Sequence, residues 1–146
     1  MAKNAFTQKC PKFVGAIISD CYSLQLDKDR PHPVYETCKA IWDTGAHMSV
    51  ISMDLARKLG LKPMGYAKML HANGDSLVNT TFVNILLPNK IEIQMLQVME
   101  SNLQDADMLI GMDVINLCDF AITHTEDKTL FSFDIPSNHQ TDYTKI

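Results

Sequence analysis

Residues 41–46 read Ile-Trp-Asp-Thr-Gly-Ala, an apolar strand end that runs into a carboxylate, a hydroxyl, a glycine and a small residue. An Asp-Thr-Gly triplet arises by chance in roughly one chain of this length in thirty, so it is weak evidence by itself. Asp and Gly are also common in turns that follow strands. Alone, the triplet fits either a catalytic carboxylate at Asp43 or an ordinary turn.

A second segment, residues 106–115, reads Ala-Asp-Met-Leu-Ile-Gly-Met-Asp-Val-Ile. It is apolar up to Gly111 and has a helix-like pattern after it. The order and separation of the two motifs, with Ser-Val-Ile-Ser at residues 49–52, resemble those of the retropepsin-like aspartic proteases. The resemblance covers roughly residues 34–133, which is most of the chain.

The resemblance implies a closed, β-barrel-like acid protease fold, mainly β, with one lobe and one Asp-Thr-Gly loop per chain. This chemistry needs two carboxylates that share a water, one acting as base and the other as acid. The resemblance therefore implies a homodimer in which Asp43 meets its symmetry mate. It assigns Thr44 to bracing the two loops, and Gly45 to close approach of the substrate backbone.

Ala46 differs from the hydroxyl residue that often holds this position in two-lobed pepsins. Such a hydroxyl donates to the carboxylate and favours its ionised form, which Ala46 cannot do. We therefore expect activity at mildly acidic rather than strongly acidic pH.

Between the two motifs, Asn73-Gly74 is a strong local signal for a tight two-residue hairpin turn. Its place in the order of motifs matches the flap that the family closes over a bound peptide. The residues expected to contact substrate are therefore His71, Ala72, Asn73 and Gly74. The alternative is an ordinary surface hairpin.

Two positions depart from the viral members of the family. Those proteases commonly pair an acidic residue with an arginine where this chain has His47 and Met112, and losing both partners together leaves no unpaired charge. The strings His-Met-Ser-Val-Ile-Ser at residues 47–52 and Gly-Met-Asp at residues 111–113 look closer to the cellular and bacterial branch, which includes the protease domain of DNA-damage-inducible proteins. Candidate substrate subsites are His47, Met48 and Met112, and Gly111 is expected to be structural. Asp113 is expected to cap a short helix over residues 114–118.

The rest of the chain reads as short strands with one or two short helices. Strands are expected over residues 13–18 and 34–42, with a loop over 24–33 between them. A helix is expected over Met53–Leu59, with Ser52 as its N-cap. The expected organisation is an N-terminal segment (1–12), a protease domain (13–135) and a flexible polar tail (136–146).

Composition narrows the classes of partner. The 146 residues are 46% hydrophobic and carry a net charge of -4. This charge gives no excess of basic residues to bind a phosphate backbone, so nucleic acid is not an expected partner. No apolar run is long enough to span a membrane, and no leader-like segment is recognised at the start. The four cysteines form no C-x-x-C pair and the five histidines show no metal-ligand spacing. We expect free thiols, no metal, no cofactor and a cytoplasmic protein.

The function that these features predict is an aspartic endopeptidase acting on peptide or protein substrates. Two alternatives stay open. One is a dimeric peptide-binding module that does not cleave, or cleaves only itself. The other is a monomer that another domain or partner activates by driving pairing.

Overall fold

The structure is a computed structural model that describes residues 4–25 and 34–145. Within these ranges it has ten strands and two short α-helices. The strands are β1 (Ala5–Pro11), β2 (Ile18–Gln25), β3 (Tyr35–Trp42), β4 (Val50–Ser52), β5 (Gly65–His71), β6 (Gly74–Leu87), β7 (Ile91–Ser101), β8 (Met108–Ile110), β9 (Asp119–His124) and β10 (Lys128–Asp134). The helices are α1 (Met53–Lys58) and α2 (Met112–Ile115).

Six of the strands close into a barrel. Their order is β2-β3-β8-β4-β7-β6, and β6 pairs back onto β2. β5 pairs only with β6 and continues the sheet as a hairpin outside the ring. The predicted closed, mainly β fold with one lobe and one or two short helices is confirmed, and the described residues contain two such helices.

The other three strands form a separate sheet in the order β1-β10-β9, here called the base sheet. Its aromatic side chains Phe6, Phe131 and Phe133 surround Trp42, the last residue of β3, with ring centroids 5.1 to 6.4 Å apart. Aromatic rings at these separations bury large apolar areas and pack in defined orientations. The base sheet thus anchors the strand that leads into Asp43.

The two helices differ in how well local sequence signals predict them. In α1, the Ser52 hydroxyl accepts a hydrogen bond from the Leu55 N–H at 3.0 Å, as an N-cap should, so that prediction is confirmed. The prediction for α2 is wrong. The helix begins at Met112 rather than Val114, and Asp113 lies inside it instead of capping it, because its carboxylate binds elsewhere.

The strand predicted at residues 13–18 is also misplaced, since β2 begins at Ile18. The inward-facing side chains of β2 are Ser19, Cys21 and Ser23, all buried, whereas Tyr22 is exposed. Because small polar residues face inward and a large aromatic residue faces outward, a prediction that places apolar residues inside does not recognise this strand. The predicted loop at 24–33 lies mostly outside the described residues, and its first two residues still belong to β2.

The chain ends contact the domain. β1 pairs with β10 along its whole length and places Phe6 and Cys10 in the core, although residues 1–12 read as a separate segment in the sequence. At the other end, the backbone N–H groups of Asn138 and His139 donate to the Asp119 carboxylate. Among the described residues, no helix combines the length and apolarity needed to cross a membrane.

Candidate active site

Asp43 lies where two parallel strands end side by side. Trp42 at the end of β3 is in register with Ile110 at the end of β8, and the Asp43 N–H donates to the Ile110 carbonyl at 2.9 Å. The chain then turns, and the Gly45 N–H donates to Asp43 Oδ1 at 2.9 Å. The half-buried carboxylate is therefore held by its own loop and presented at the barrel end.

The loop after Asp43 is fastened to the segment around Gly111. The Met112 N–H donates to the Ala46 carbonyl at 2.8 Å. A Cβ on Gly111 would lie 2.8 Å from the Ala46 oxygen and 3.0 Å from the Met48 carbonyl carbon, and real Cβ atoms do not approach backbone that closely. A side chain at 111 would therefore clash with the backbone of the Asp43 loop, which supports the proposal that Gly111 is structural.

A second fastening joins Ser49 to Asp113. The Ser49 hydroxyl donates to Asp113 Oδ1 at 2.7 Å and accepts from the Gly111 N–H at 3.0 Å, while the Ser49 N–H donates to Asp113 Oδ2 at 2.9 Å. Ser49 is fully buried. This set of bonds, the Ser49–Asp113 bridge, satisfies polar groups that would be costly to bury unpaired.

Behind the loop, Trp42 carries a polar chain as well as its aromatic contacts. Its indole Nε1 donates to the Ser19 hydroxyl at 2.9 Å, and Ser19 donates to Gln8 Oε1 at 2.8 Å. This chain links β3 to β2 and β1, so the residue next to Asp43 is fixed from two strands.

A cleft of about 530 Å³ opens beside Asp43. Its lining residues are Asp43, Gly45, Ala46, His47, Met48, Val50, Ala67, Lys68, Met69, Leu70, Met99, Ser101, Leu103 and Leu109. Most are apolar, and Asp43 is the only carboxylate among them. The cleft is thus an apolar groove with a single acid among its lining residues. Two of its walls are the Asp43 loop and strand β5 of the β5–β6 hairpin, and residues of β4, β7, β8 and the loop after β7 line the rest.

The structure brings together some, but not all, of the sequence-predicted site residues. Ala46, His47 and Met48 line the cleft with Asp43. Met112 instead lines a neighbouring depression of about 290 Å³. Thr44 is exposed, and no hydrogen bond joins its hydroxyl to another described side chain.

The β5–β6 hairpin lines the same cleft as the Asp43 loop. Its two-residue turn is Ala72-Asn73, not Asn73-Gly74, because His71 pairs with Gly74 and Gly74 already opens β6 with φ of 119°. None of the tip residues 71–74 lines the cleft in this single chain. The lining is supplied by residues 67–70 of β5, whose alternation of half-buried and exposed side chains was visible only as a generic strand signal.

Charge and metal-binding potential at the cleft are modest. Lys68 at its edge pairs with Asp75 at 3.2 Å across the hairpin, and both side chains are largely solvent-exposed. Within residues 4–25 and 34–145, no group of three or more His, Cys, Asp or Glu is arranged to hold a metal ion.

Comparison with known proteins finds similar solved structures and one matching family model. The fold is similar to the crystal structure of a retropepsin-like aspartic protease from Rickettsia conorii, with a TM-score of 0.59 and 16% sequence identity over 90% of this chain and 93% of that chain. No curated protein matches the chain. Residues 35–116 match the family of gag-polyprotein putative aspartyl proteases. Since that match covers more than half of the chain and includes both motifs, the chain belongs to this aspartic protease family.

Proposed function

We propose that the chain is an aspartic endopeptidase that works as a homodimer, with one Asp43 carboxylate from each subunit at the reaction centre. The observation that carries this proposal is the lone acid at the head of an apolar cleft. An apolar groove with few polar groups suits an extended peptide. A carboxylate that its own loop holds in place is suited to repeated proton transfer.

The proposed chemistry needs both copies of Asp43. One ionised carboxylate takes a proton from water as that water attacks the scissile carbonyl, and the protonated carboxyl donates a hydrogen bond to the carbonyl oxygen. Two carboxylates about 3 Å apart cannot both ionise, so the pair would share one proton. Because Asp43 is the only acid among the described residues that line the cleft, we infer that the second acid comes from another chain.

One edge of the base sheet is the surface on which we propose that the second chain pairs. Its β1 side is covered, because Gln8 donates to the Ile18 carbonyl at 2.6 Å and Asn89 donates to the Ala5 carbonyl at 2.8 Å. Its β9 side pairs with no further strand among the described residues, and Ile122 there is 43% exposed. An open edge of this kind is a template for pairing with another strand.

Symmetry connects that edge with the site. Two antiparallel copies of β9 would be related by a two-fold axis perpendicular to the base sheet, which keeps the inner faces of both sheets on one side. Trp42 packs on that inner face directly before Asp43. An axis through the β9 edge would therefore leave both Trp42 side chains, and the Asp43 loops that follow them, on the same side of the joined base sheets.

The substrate class follows from the cleft wall. Met48, Val50, Met69 and Leu109 offer flexible and branched apolar contacts to side chains next to the scissile bond. The hairpin would close over the peptide, bring residues 71–74 toward the substrate and exclude water. We therefore propose extended peptide segments with apolar residues at the cleavage site as substrates.

The test compares the wild type, Asp43→Asn and a matched control, Asp105→Asn. Asp105 is exposed, lies outside the cleft and has φ of 61°, which asparagine tolerates well. Each protein is incubated with an unbiased peptide library from pH 3 to 8, with cleavage followed by mass spectrometry and assembly by sedimentation. We expect Asp43→Asn to lose cleavage by about 10³-fold or more while it stays dimeric, and the control to match the wild type.

Mixing the wild type with Asp43→Asn tests whether the two subunits of a dimer form one shared active site. With random pairing and an equal mixture, roughly a quarter of dimers keep two aspartates, so activity per wild-type chain should halve. Activity that stays proportional to the wild-type chains would contradict a shared dyad. Peptide binding without cleavage by the wild type would favour the binding module, and cleavage only at high concentration would favour a weakly paired monomer.

A further inference from the structure

Two of the four free cysteines face each other inside the barrel. Cys21 on β2 and Cys38 on β3 are directly opposed in an antiparallel pair, and their sulfurs are 2.9 Å apart. Both side chains are 2% exposed. Directly opposed residues in such a pair have the Cα separation that a disulfide requires. Among the described residues, neither Cys10 nor Cys118 has its sulfur in contact with a second sulfur. Cys10 accepts from the Gln8 side chain, and Cys118 donates to the Ile115 carbonyl.

The pair is chemically asymmetric. The Cys38 sulfur has two polar neighbours, Cys21 and the Ser23 hydroxyl at 3.4 Å. The hydrogen bond from Cys21 lowers the pKa of Cys38 although burial opposes this, and Ser23 adds to the lowering. The pKa of Cys21 is raised by its hydrogen bond to Cys38 and by burial. Cys38 is therefore the sulfur of the pair that ionises more readily, and Cys21 is the one that holds its proton more tightly.

We propose that Cys21 and Cys38 are a redox modification site that closes to a reversible disulfide when a peroxide reaches the folded barrel. In the first step Cys38 attacks a peroxide oxygen, and the sulfenic acid forms as the other oxygen leaves and ends as water. In the second step the Cys21 sulfur attacks the Cys38 sulfur, the S–S bond forms, and a second water leaves with the remaining thiol proton. Two electrons pass from the sulfurs to the peroxide.

Little movement is needed to close this bond. A disulfide has an S–S length of about 2.05 Å, so each sulfur must move by less than about 0.5 Å from the present separation of 2.9 Å. The bond would join β2 to the strand that ends one residue before Asp43. It would thus tie the strand that carries the candidate catalytic loop to its neighbour, independently of whether the loop cleaves peptides.

Burial sets the rate but leaves the outcome unchanged. Because both sulfurs are nearly inaccessible, the first step depends on local opening of the β2–β3 pair and is slow compared with an exposed thiol. Once one sulfur is oxidised, its partner is already in contact, and condensation outcompetes further oxidation. We therefore expect the disulfide rather than sulfinic or sulfonic acid at this pair.

The experiment treats the full chain with graded hydrogen peroxide and follows it by intact mass, peptide mapping and thermal unfolding. The expected product is a monomer-mass species lighter by two hydrogens, about 2 Da, with Cys21 linked to Cys38. Its Tm should rise by about 5 °C or more, and dithiothreitol should restore both mass and Tm. Cys118→Ser is the matched control and should behave like the wild type.

Cys21→Ser should gain one oxygen at Cys38, or a thiol adduct, and form no internal disulfide. The mapping on the wild type carries the test if this variant fails to fold. The proposal is overturned if the wild type adds two or three oxygens at this pair, links other cysteines, stays unmodified, or loses thermal stability on oxidation. None of these readouts depends on protease activity.

Discussion

The two walls of the Asp43 cleft are held in different ways. The Asp43 loop is joined to residues 110–113, more than 60 positions away, by backbone bonds and by the buried Ser49–Asp113 bridge. The β5–β6 hairpin is held over residues 65–79 by its own strand pairing, one exposed ion pair and a hydrogen bond from Asn79 to Glu100 on β7, whereas the rest of β6 belongs to the barrel. Its tip residues are exposed, as are Leu70 and Leu77 near them.

This difference assigns distinct physical tasks to the two walls. Bonds between distant segments can break only if two parts of the fold separate, so the Asp43 loop shares the stability of the barrel. A hairpin with few buried contacts opens at much lower free energy. The proposed protease thus combines a fixed acid with a cover that can move, and substitutions of the same kind should act differently in the two walls.

The largest effect is expected for Gly111→Ala in the fixed wall. Its Cβ would meet backbone atoms of Ala46 and Met48, which cannot rotate away as a side chain could. We expect a loss of about 3 kcal/mol in the free energy of unfolding, measured in urea. Displacement of the Asp43 loop should also lower kcat/KM by about 100-fold.

Gly15→Ala is the matched control, because no atom lies within 4 Å of its Cβ position. It should unfold and cleave like the wild type. Equal losses in the two variants would show that the close contact at Gly111 is not what fixes this wall.

Ser49→Ala tests the bridge without adding volume. It leaves the buried Gly111 N–H without its acceptor and removes one donor from the Asp113 carboxylate. We expect a loss of about 2 kcal/mol in the free energy of unfolding. Ser76→Ala, an exposed position on the hairpin, should change it by less than about 0.5 kcal/mol.

A double-mutant cycle with Asp113→Asn sharpens this test. Because Ser49 and Asp113 share two hydrogen bonds, their effects on unfolding should not add, and the double variant should lose less than the sum. Additive losses would mean that the two residues stabilise the loop separately.

The bridge also shows where sequence reasoning stops. The Asp43 loop, Gly111 and the hairpin could be predicted because turn residues and motif order mark them. The sequence marks Ser49 only as part of a motif and Asp113 only as an expected helix cap. Their hydrogen bonds could not be predicted, because they join segments 64 residues apart. The signal available in the sequence was the Ser49 hydroxyl directly before two apolar residues. The structure buries this stretch, and a buried hydroxyl needs a hydrogen-bond partner, but the sequence does not say which residue supplies it.

Strand positions failed for a related reason. β2 places small polar side chains inside the barrel, where Ser19 bonds to Trp42 and Ser23 contacts Cys38, so burial there depends on partners from other strands. β1 was hidden because only Phe6 and Cys10 alternate as buried residues in an otherwise polar segment. The closer likeness to cellular and bacterial proteases stays a prediction.

A smaller effect is expected for Gly74→Ala in the movable wall. Gly74 has φ of 119°, which an alanine adopts only with strain, yet no atom lies within 4 Å of the added Cβ. We expect the free energy of local opening of the hairpin to fall by about 1 kcal/mol, seen as faster amide exchange at residues 65–80. KM should rise more than kcat falls. Global destabilisation equal to that of Gly111→Ala would contradict the difference between the walls.

The smallest effect is expected outside both walls, at Asp119, and it depends on pH. Hydrogen bonds from the Ser137 hydroxyl and then from the Asn138 N–H, with contributions from His139, lower the pKa of Asp119 to about 2. A carboxylate with a lowered folded-state pKa stabilises the fold above its unfolded pKa of about 3.9, and this contribution is lost as pH falls toward 2. Asp119→Asn should therefore lower the Tm slightly at pH 6, and the difference from the wild type should shrink steadily between pH 4 and pH 2. A difference that stays constant over that range would show that the charge of Asp119 contributes nothing.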